Sequence, residues 1–255
     1  MNNAPIGIYD SGMGGLSVWQ EVRKALPEES LIYLGDGKNC PYGSRPSAEI
    51  RQLAQDAVEH LLALGCKLIV VACNTATAAA IDHLRESYPT LPIVGMEPAI
   101  KPASLATKSR VVGVVATERS LDGDLFRRTA ARYGADIEVL TAVGEGFVEL
   151  VEANLEHTEE AYARVKTVIE PMLRRGADQV VLGCTHYPFL REAFLRVGEE
   201  YPFTLVDAAP AVARRVVELL SRHALKAESG HRPEYRFETF ADEAYRERLA
   251  SKVNL

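Results

Sequence analysis

The sequence predicts an α/β protein of two similar domains, each a mostly parallel sheet covered by helices. Three observations predict it. Short, continuous β-branched runs alternate with amphipathic stretches, the pattern of strands buried on both faces. That alternation runs once from Ile6 to Gly95 and restarts at Val111. One segment also recurs: Gly65-Cys66-Lys67-Leu68-Ile69-Val70-Val71-Ala72-Cys73 aligns without gaps with Gly176-Ala177-Asp178-Gln179-Val180-Val181-Leu182-Gly183-Cys184.

The elements follow in order. Ile6–Tyr9 reads as a strand that enters a glycine-rich turn, and Leu16–Leu26 as a helix. Leu31–Leu34 is a strand, Ala48–Leu64 a helix, Leu68–Val71 a strand, Ala76–Glu86 an alanine-rich helix and Pro92–Gly95 a short strand. After the restart come strand Val111–Val115, helix Asp122–Tyr133, strand Ile137–Leu140, helix Glu159–Arg175 and strand Gln179–Leu182. Ala208–His223 reads as a helix, Lys226–Pro233 as a polar loop, Tyr235–Phe240 as a strand, and a helix ends the chain. A weaker match sets Ile6-Gly7-Ile8 beside Val112-Gly113-Val114, with hydroxyls Ser11 and Thr117 downstream. Two similar halves would each carry one cysteine at the carboxyl end of a strand.

Composition narrows the class. Of 255 residues, 47% are hydrophobic and 25% charged, which excludes a disordered chain and a collagen-like fibre. The net charge of −6 gives no bulk attraction to nucleic acid or to an anionic membrane. No apolar run approaches the ~20 residues that span a bilayer. The first residues lack the basic and apolar regions of a signal peptide, so a cytoplasmic protein is expected. The cysteines Cys40, Cys66, Cys73 and Cys184 have no C-x-x-C spacing and no completing histidine cluster, so free thiols and no metal site are expected.

Open α/β sheets bind ligands beyond the carboxyl ends of their strands, and four stretches fall there. Asp10-Ser11-Gly12-Met13-Gly14-Gly15 is a turn that exposes backbone N–H groups, but it lacks the Gly-Lys-Ser/Thr of a P-loop. Cys40-Pro41-Tyr42-Gly43-Ser44 reads as a turn, with Tyr42 able to shape a pocket. Cys73-Asn74-Thr75 lies where a strand gives way to a helix, and the helix N-terminus there favours a thiolate. Asn74 or Thr75 would cap that helix. Gly183-Cys184-Thr185-His186-Tyr187-Pro188 puts a second thiol near a helix start, with His186 close by. Two thiols at matched positions suit inversion of a stereocentre, which needs a base on one face of a carbon and an acid on the other, with the roles exchanged for the opposite enantiomer.

At these residues the sequence resembles the bacterial glutamate racemases, a family similar in fold to the aspartate racemases. The resemblance rests on Asp10-Ser11-Gly12 with Gly14-Gly15, Pro41-Tyr42-Gly43, Cys73-Asn74-Thr75, Gly183 to Pro188, and Leu205-Val206-Asp207, and it covers essentially the whole chain. It implies two pseudo-symmetric flavodoxin-like domains, residues 1–97 plus 208–255 and residues 98–207, with the active site in the cleft between them. It implies interconversion of L- and D-glutamate without a cofactor, D-glutamate supply for peptidoglycan, and no nucleic-acid or membrane partner. It leaves room for a homodimer. Residue by residue, Cys73 would take the α-proton of D-glutamate with Asp10 assisting. Cys184 would take that of L-glutamate, assisted by His186 with Glu152. Ser11, Pro41, Tyr42, Gly43, Asn74, Thr75, Thr117, Thr185 and His186 would line the substrate site, together with Asp10. Many relatives carry Cys-Pro where this chain has Ala142-Val143, and a second Thr where it has Ser120.

Two other readings fit part of the pattern. A thiol hydrolase built on Cys184 and His186 uses one cysteine and leaves the repeat unaccounted for. A two-lobed binding protein uses the domains but not the cysteines.

Overall fold

The β-branched runs form strands where the sequence places them, in a computed structural model that describes residues 2–253. The chain folds as two compact units. One comprises the stretch up to Met96 with the stretch from Ala209 onward, and the other is Glu97–Ala208.

In the first unit the order is β1 (Ile6–Asp10), α1 (Leu16–Ala25), β2 (Leu31–Gly35), α2 (Ser47–Ala63), β3 (Leu68–Val71), α3 (Asn74–Ser87) and β4 (Ile93–Gly95). The second unit holds α4 (Ile100–Ala106), β5 (Val111–Ala116), α5 (Glu118–Asp122), α6 (Asp124–Tyr133), β6 (Glu138–Val143), α7 (Phe147–Glu152), α8 (Glu159–Arg174) and β7 (Gln179–Gly183). A 3-10 turn (Tyr187–Leu190), α9 (Arg191–Gly198) and β8 (Thr204–Val206) complete it. The chain then returns to the first unit with α10 (Ala209–Arg222), β9 (Tyr235–Thr239) and α11 (Glu243–Lys252).

Both sheets are wholly parallel, where the sequence predicted mostly parallel ones. Their orders are β4-β3-β1-β2-β9 and β8-β7-β5-β6, so the second repeats the first without the added edge strand. The repeat holds to the register. Ile8 pairs with Val70 in the first sheet, and their sequence counterparts Val114 and Val181 pair in the second. Each repeat strand is also launched the same way. Gly65 and Gly176 adopt φ of +83° and +92°, the left-handed region that ends a helix cheaply only at glycine. Behind them the bonds match: Gly65 N–H to Leu62 O and Cys66 N–H to Leu61 O, against Gly176 N–H to Leu173 O and Ala177 N–H to Met172 O.

In the first unit β1, β2 and β3 are buried throughout. One face packs Tyr9, Leu34, Ile69 and Val71 against Ile50, Val58 and Leu61 of α2 and Ile81 and Leu84 of α3. The helices α1 and α10 pack on each other, and Trp19 of α1 meets Tyr235 and Phe237 of β9 edge-on and tilted. At ~2 kcal/mol for each fully buried large apolar side chain, such layers hold the strand ends rigid enough to position chemistry.

The helix predicted over Asp122–Tyr133 is α6, which begins after Gly123, while α4, α5 and α7 are not legible as helices in the sequence. All three are under two turns, too short for an apolar stripe to declare itself. No helix among the described residues is long and apolar enough to cross a membrane.

Candidate active site

In each sheet the chain leaves the central strand to one side and later returns on the other. The loops after β1 and β3, and after β5 and β7, therefore lie side by side at the carboxyl edge. In the first unit this brings Ser11 to Cys73. The thiol donates to Ser11 Oγ at 3.6 Å, and the sulfur accepts from the Ala76 N–H at 3.4 Å. Cys73 is thus the N-cap of α3, with extended φ and ψ of −130° and 119°. The sequence assigned that cap to Asn74 or Thr75, but the helix begins at Asn74 and the sulfur takes the capping place. A sulfur accepting from a free N–H at a helix start carries negative charge more easily. Asn74 and Thr75 are buried in the first turn, and Asn74 Oδ1 has no hydrogen-bond partner among the described residues.

Asp10 ends β1 fully buried, and its Oδ2 accepts from the Gly12 N–H at 3.0 Å, which folds the turn that carries Ser11. Tyr33 Oη donates to Gly12 O at 2.7 Å from the neighbouring strand. A Cβ on Gly15 would fall 2.6 Å from the Asp10 Cβ, so this approach needs glycine.

The turn after β2 is organised by a side chain the sequence did not single out for a role. Asp36, fully buried, accepts from Tyr42 Oη at 2.6 Å and from Asn39 Nδ2 at 3.1 and 3.0 Å. Tyr9 Oη donates to Tyr42 Oη at 2.7 Å. Burial pushes both phenols well above their ordinary range. Next in order come the nearby Cys73 charge for Tyr9, and the Tyr9 and Asp36 charges for Tyr42. Both therefore stay protonated donors. Pro41, joined to Cys40 by a cis peptide, is exposed, and Gly43 is half-buried on the other side of Tyr42.

In the second unit Cys184 follows β7 directly. Its Sγ lies 3.8 Å from His186 Nδ1, and His186 Nε2 lies 2.7 Å from Glu152 Oε1. The carboxylate fixes the imidazole with one nitrogen toward itself and the other toward the sulfur. Glu152 reaches it because α7 is docked on the turn that bears His186. Phe147 packs edge-on against Tyr187 with centroids 5.1 Å apart, and Tyr187 Oη donates to Gly144 O at 3.4 Å. The expected helix start after Cys184 is this 3-10 turn, with α9 following only at Arg191. Thr185 is buried beside Cys184. Thr117 caps α5, accepting from the Ser120 N–H at 3.3 Å with the two hydroxyls 2.9 Å apart.

Within the first unit, then, Asp10, Ser11, Asn74 and Thr75 gather around Cys73. Within the second, Thr185, His186 and Glu152 gather around Cys184. Asp36, Tyr9 and Tyr33 support the first group unannounced. Only the carboxylate of Asp36, just past a strand end, offered a signal.

A doubled parallel-sheet fold with one thiol at the same strand end of each half defines a class, and the comparisons agree with it. Residues 15–216 match the Asp/Glu/Hydantoin racemase family, and the chain belongs to that family. It is 46% identical over 226 residues to the glutamate racemase of Ectopseudomonas mendocina, a match that spans 89% of this chain and 86% of the relative. It is 43% identical over 254 residues to that of Cupriavidus pinatubonensis, spanning 99% and 92%. Among solved structures it is similar to a glutamate racemase isoform from Bacillus anthracis (TM-score 0.88, 31% identity, 99% of this chain and 94% of that one). It is also similar to the Escherichia coli glutamate racemase in complex with L-glutamate and the activator UDP-MurNAc-ala (TM-score 0.85, 34% identity, 98% and 94%).

Proposed function

We propose that this racemase interconverts L- and D-glutamate with two cysteine bases and no cofactor, and so supplies D-glutamate for peptidoglycan. The observation that carries the reading is the matched placement of Cys73 and Cys184, repeated down to strand register. Cys73 removes the α-proton of D-glutamate while Cys184 delivers a proton to the opposite face, and the reverse reaction exchanges the roles. A thiol of moderately lowered pKa can work both as base and as acid near neutral pH.

The surroundings of each thiol support the assignment. The Ala76 N–H steadies the charged sulfur of Cys73, and the Ser11 hydroxyl, which accepts from the neutral thiol, can turn to donate to the thiolate. Asp10 assists by holding the Ser11 turn. The Glu152–His186 pair, with an imidazole nitrogen turned to Cys184, assists proton movement there. Ser11, Pro41, Tyr42, Gly43, Asn74, Thr75, Thr117 and Thr185 supply hydroxyl, amide and backbone groups for the substrate carboxylates and amine. The buried Asn74 Oδ1 suits an ammonium donor, because an unpaired buried acceptor costs about 1–3 kcal/mol.

The Cys184–His186–Glu152 arrangement alone would also fit a thiol hydrolase. It leaves Cys73, equally built, without a task.

Circular dichroism of L-glutamate incubated with reduced protein should decay to zero as the racemate forms. Activity lost on dialysis against chelator and restored by one metal would overturn the cofactor-free reading, and ammonia release would support a hydrolase.

A further inference from the structure

The first unit contains a tie that the second lacks, and it grips the segment bearing Cys73. Thr77 makes three hydrogen bonds in the first turn of α3. Its N–H donates to the Cys73 carbonyl at 2.8 Å. Its hydroxyl donates to the carbonyl of Val71, the last residue of β3, at 3.2 Å. The same hydroxyl accepts from the Met96 N–H at 3.0 Å. Met96 directly follows β4, and the β3–β4 ladder ends at the pair Val71 and Gly95. The hydroxyl therefore spans the two backbone groups at which that ladder stops. Its methyl is packed as closely: a Cβ on Gly95 would fall 2.7 Å from Thr77 Cγ2. Thr77 is 2% exposed, so these bonds are made out of water, where an alternative partner is absent.

Thr77 thus closes a short ring through Val71, Ala72 and Cys73 and fixes the angle at which the strand hands over to the helix. That angle decides whether the Cys73 sulfur sits under the Ala76 N–H. It also links this geometry to Met96, the last residue before the chain passes to the second unit. In the repeat the counterpart of Thr77 is Pro188, whose side chain has no hydroxyl and which lies in a 3-10 turn.

We propose that Thr77 is a positioning residue for the Cys73 base: its hydroxyl locks the strand–helix junction that presents the Cys73 sulfur to the helix N-terminus. The inference rests on the reading of Cys73 as one of the two bases.

The test compares Thr77→Val, which keeps the shape and loses the hydroxyl, with Thr77→Ser, which keeps the hydroxyl. Carboxymethylation of the full-length protein by iodoacetate, read at the Cys73 peptide by mass spectrometry across pH, gives the thiol midpoint. For Thr77→Val the midpoint should rise by about one pH unit. Its kcat should fall about tenfold with KM little changed, and Thr77→Ser should restore both. If the valine variant does not fold, Thr77→Ala replaces it with the same expectation. A midpoint unchanged on loss of the hydroxyl, or a serine variant as impaired as the valine one, would overturn the proposal. Cys73→Ala run alongside separates the two claims: if that variant racemises normally, the two-base reading fails whatever Thr77 does.

Discussion

Cys73 and Cys184 occupy the same place in a repeated fold and are equipped differently. Cys73 caps a 14-residue helix, and its sulfur meets a hydroxyl and a backbone N–H. Cys184 precedes a short 3-10 turn and meets an imidazole oriented by a carboxylate. The first environment stabilises a charged sulfur with fixed dipoles. The second supplies a titratable partner. On the two-base reading proposed above, one thiol starts each direction as thiolate and the other as thiol, with the roles exchanged between directions.

The same contrast recurs at the opposite end of the two sheets. Lys67 and Asp178 are counterparts in the repeat, opposite in charge, and both tie down the segment that enters the central strand. Lys67 donates to Asn2 O and pairs with Glu29 at 2.6 Å, both side chains almost wholly buried. Asp178 accepts from Thr107 Oγ1 at 2.6 Å and from the N–H groups of Lys108 and Ser109 at 2.7 and 3.0 Å. Position in the fold is inherited by the repeat, while the chemistry that fills it is chosen separately.

The largest expected effect breaks the symmetry of the thiols outright. Cys73→Ala and Cys184→Ala should each lower racemisation by at least ~10⁴-fold in both directions, measured by circular dichroism. Near wild-type turnover in either would sink the two-base account. Next come their neighbours. His186→Asn and Asp10→Asn should each cost ~10²–10⁴-fold. Because the equilibrium between enantiomers stays at unity, their difference must appear in primary isotope effects. His186→Asn should raise the effect with α-deuterated L-glutamate, and Asp10→Asn that with D-glutamate. Equal changes for both would refute one assistant per thiol.

The pairs at the other end of the sheets sharpen the comparison through stability. Lys67→Met leaves Glu29 buried without its cation and should cost about 3 kcal/mol in urea unfolding. Asp178→Asn, half-buried, should cost about 1 kcal/mol at neutral pH. Burial alone would raise the Asp178 carboxyl, but the Thr107 hydroxyl and the Ser109 and Lys108 N–H groups hold it below its ordinary range. A depressed carboxylate stabilises the fold above its unfolded value of about 3.9. The wild-type advantage over Asp178→Asn should therefore be full near pH 6 and fade as pH falls below about 4. A constant difference across that range would contradict the assignment. The smallest effect belongs to Cys66, whose thiol burial pushes up to about 12. Cys66→Ala should leave racemisation nearly unchanged, and iodoacetate should spare Cys66 at neutral pH.

Much of this was legible in residue order. The parallel strands declared themselves as unbroken β-branched runs, and the nine-residue repeat from Gly65 to Cys73 placed both thiols at strand ends. What stayed hidden depends on tertiary contact. Nothing local marks Cys73 as its own helix cap, because asparagine and threonine are the common choice and both follow it. Glu152 reaches His186 only because Phe147 docks α7 on Tyr187. The Asp36 carboxylate takes its partners from its own turn, where Tyr42 is in turn tied to β1 through Tyr9.

The most direct test of two bases on one carbon is early-time racemisation of protiated L-glutamate in D2O, with the enantiomers separated and their α-positions read by mass spectrometry. The two-thiol account predicts D-glutamate carrying deuterium from the first turnover while unreacted L-glutamate keeps its proton. Deuterium entering both enantiomers at equal rates, or D-glutamate retaining the substrate proton, would show a single base and contradict it.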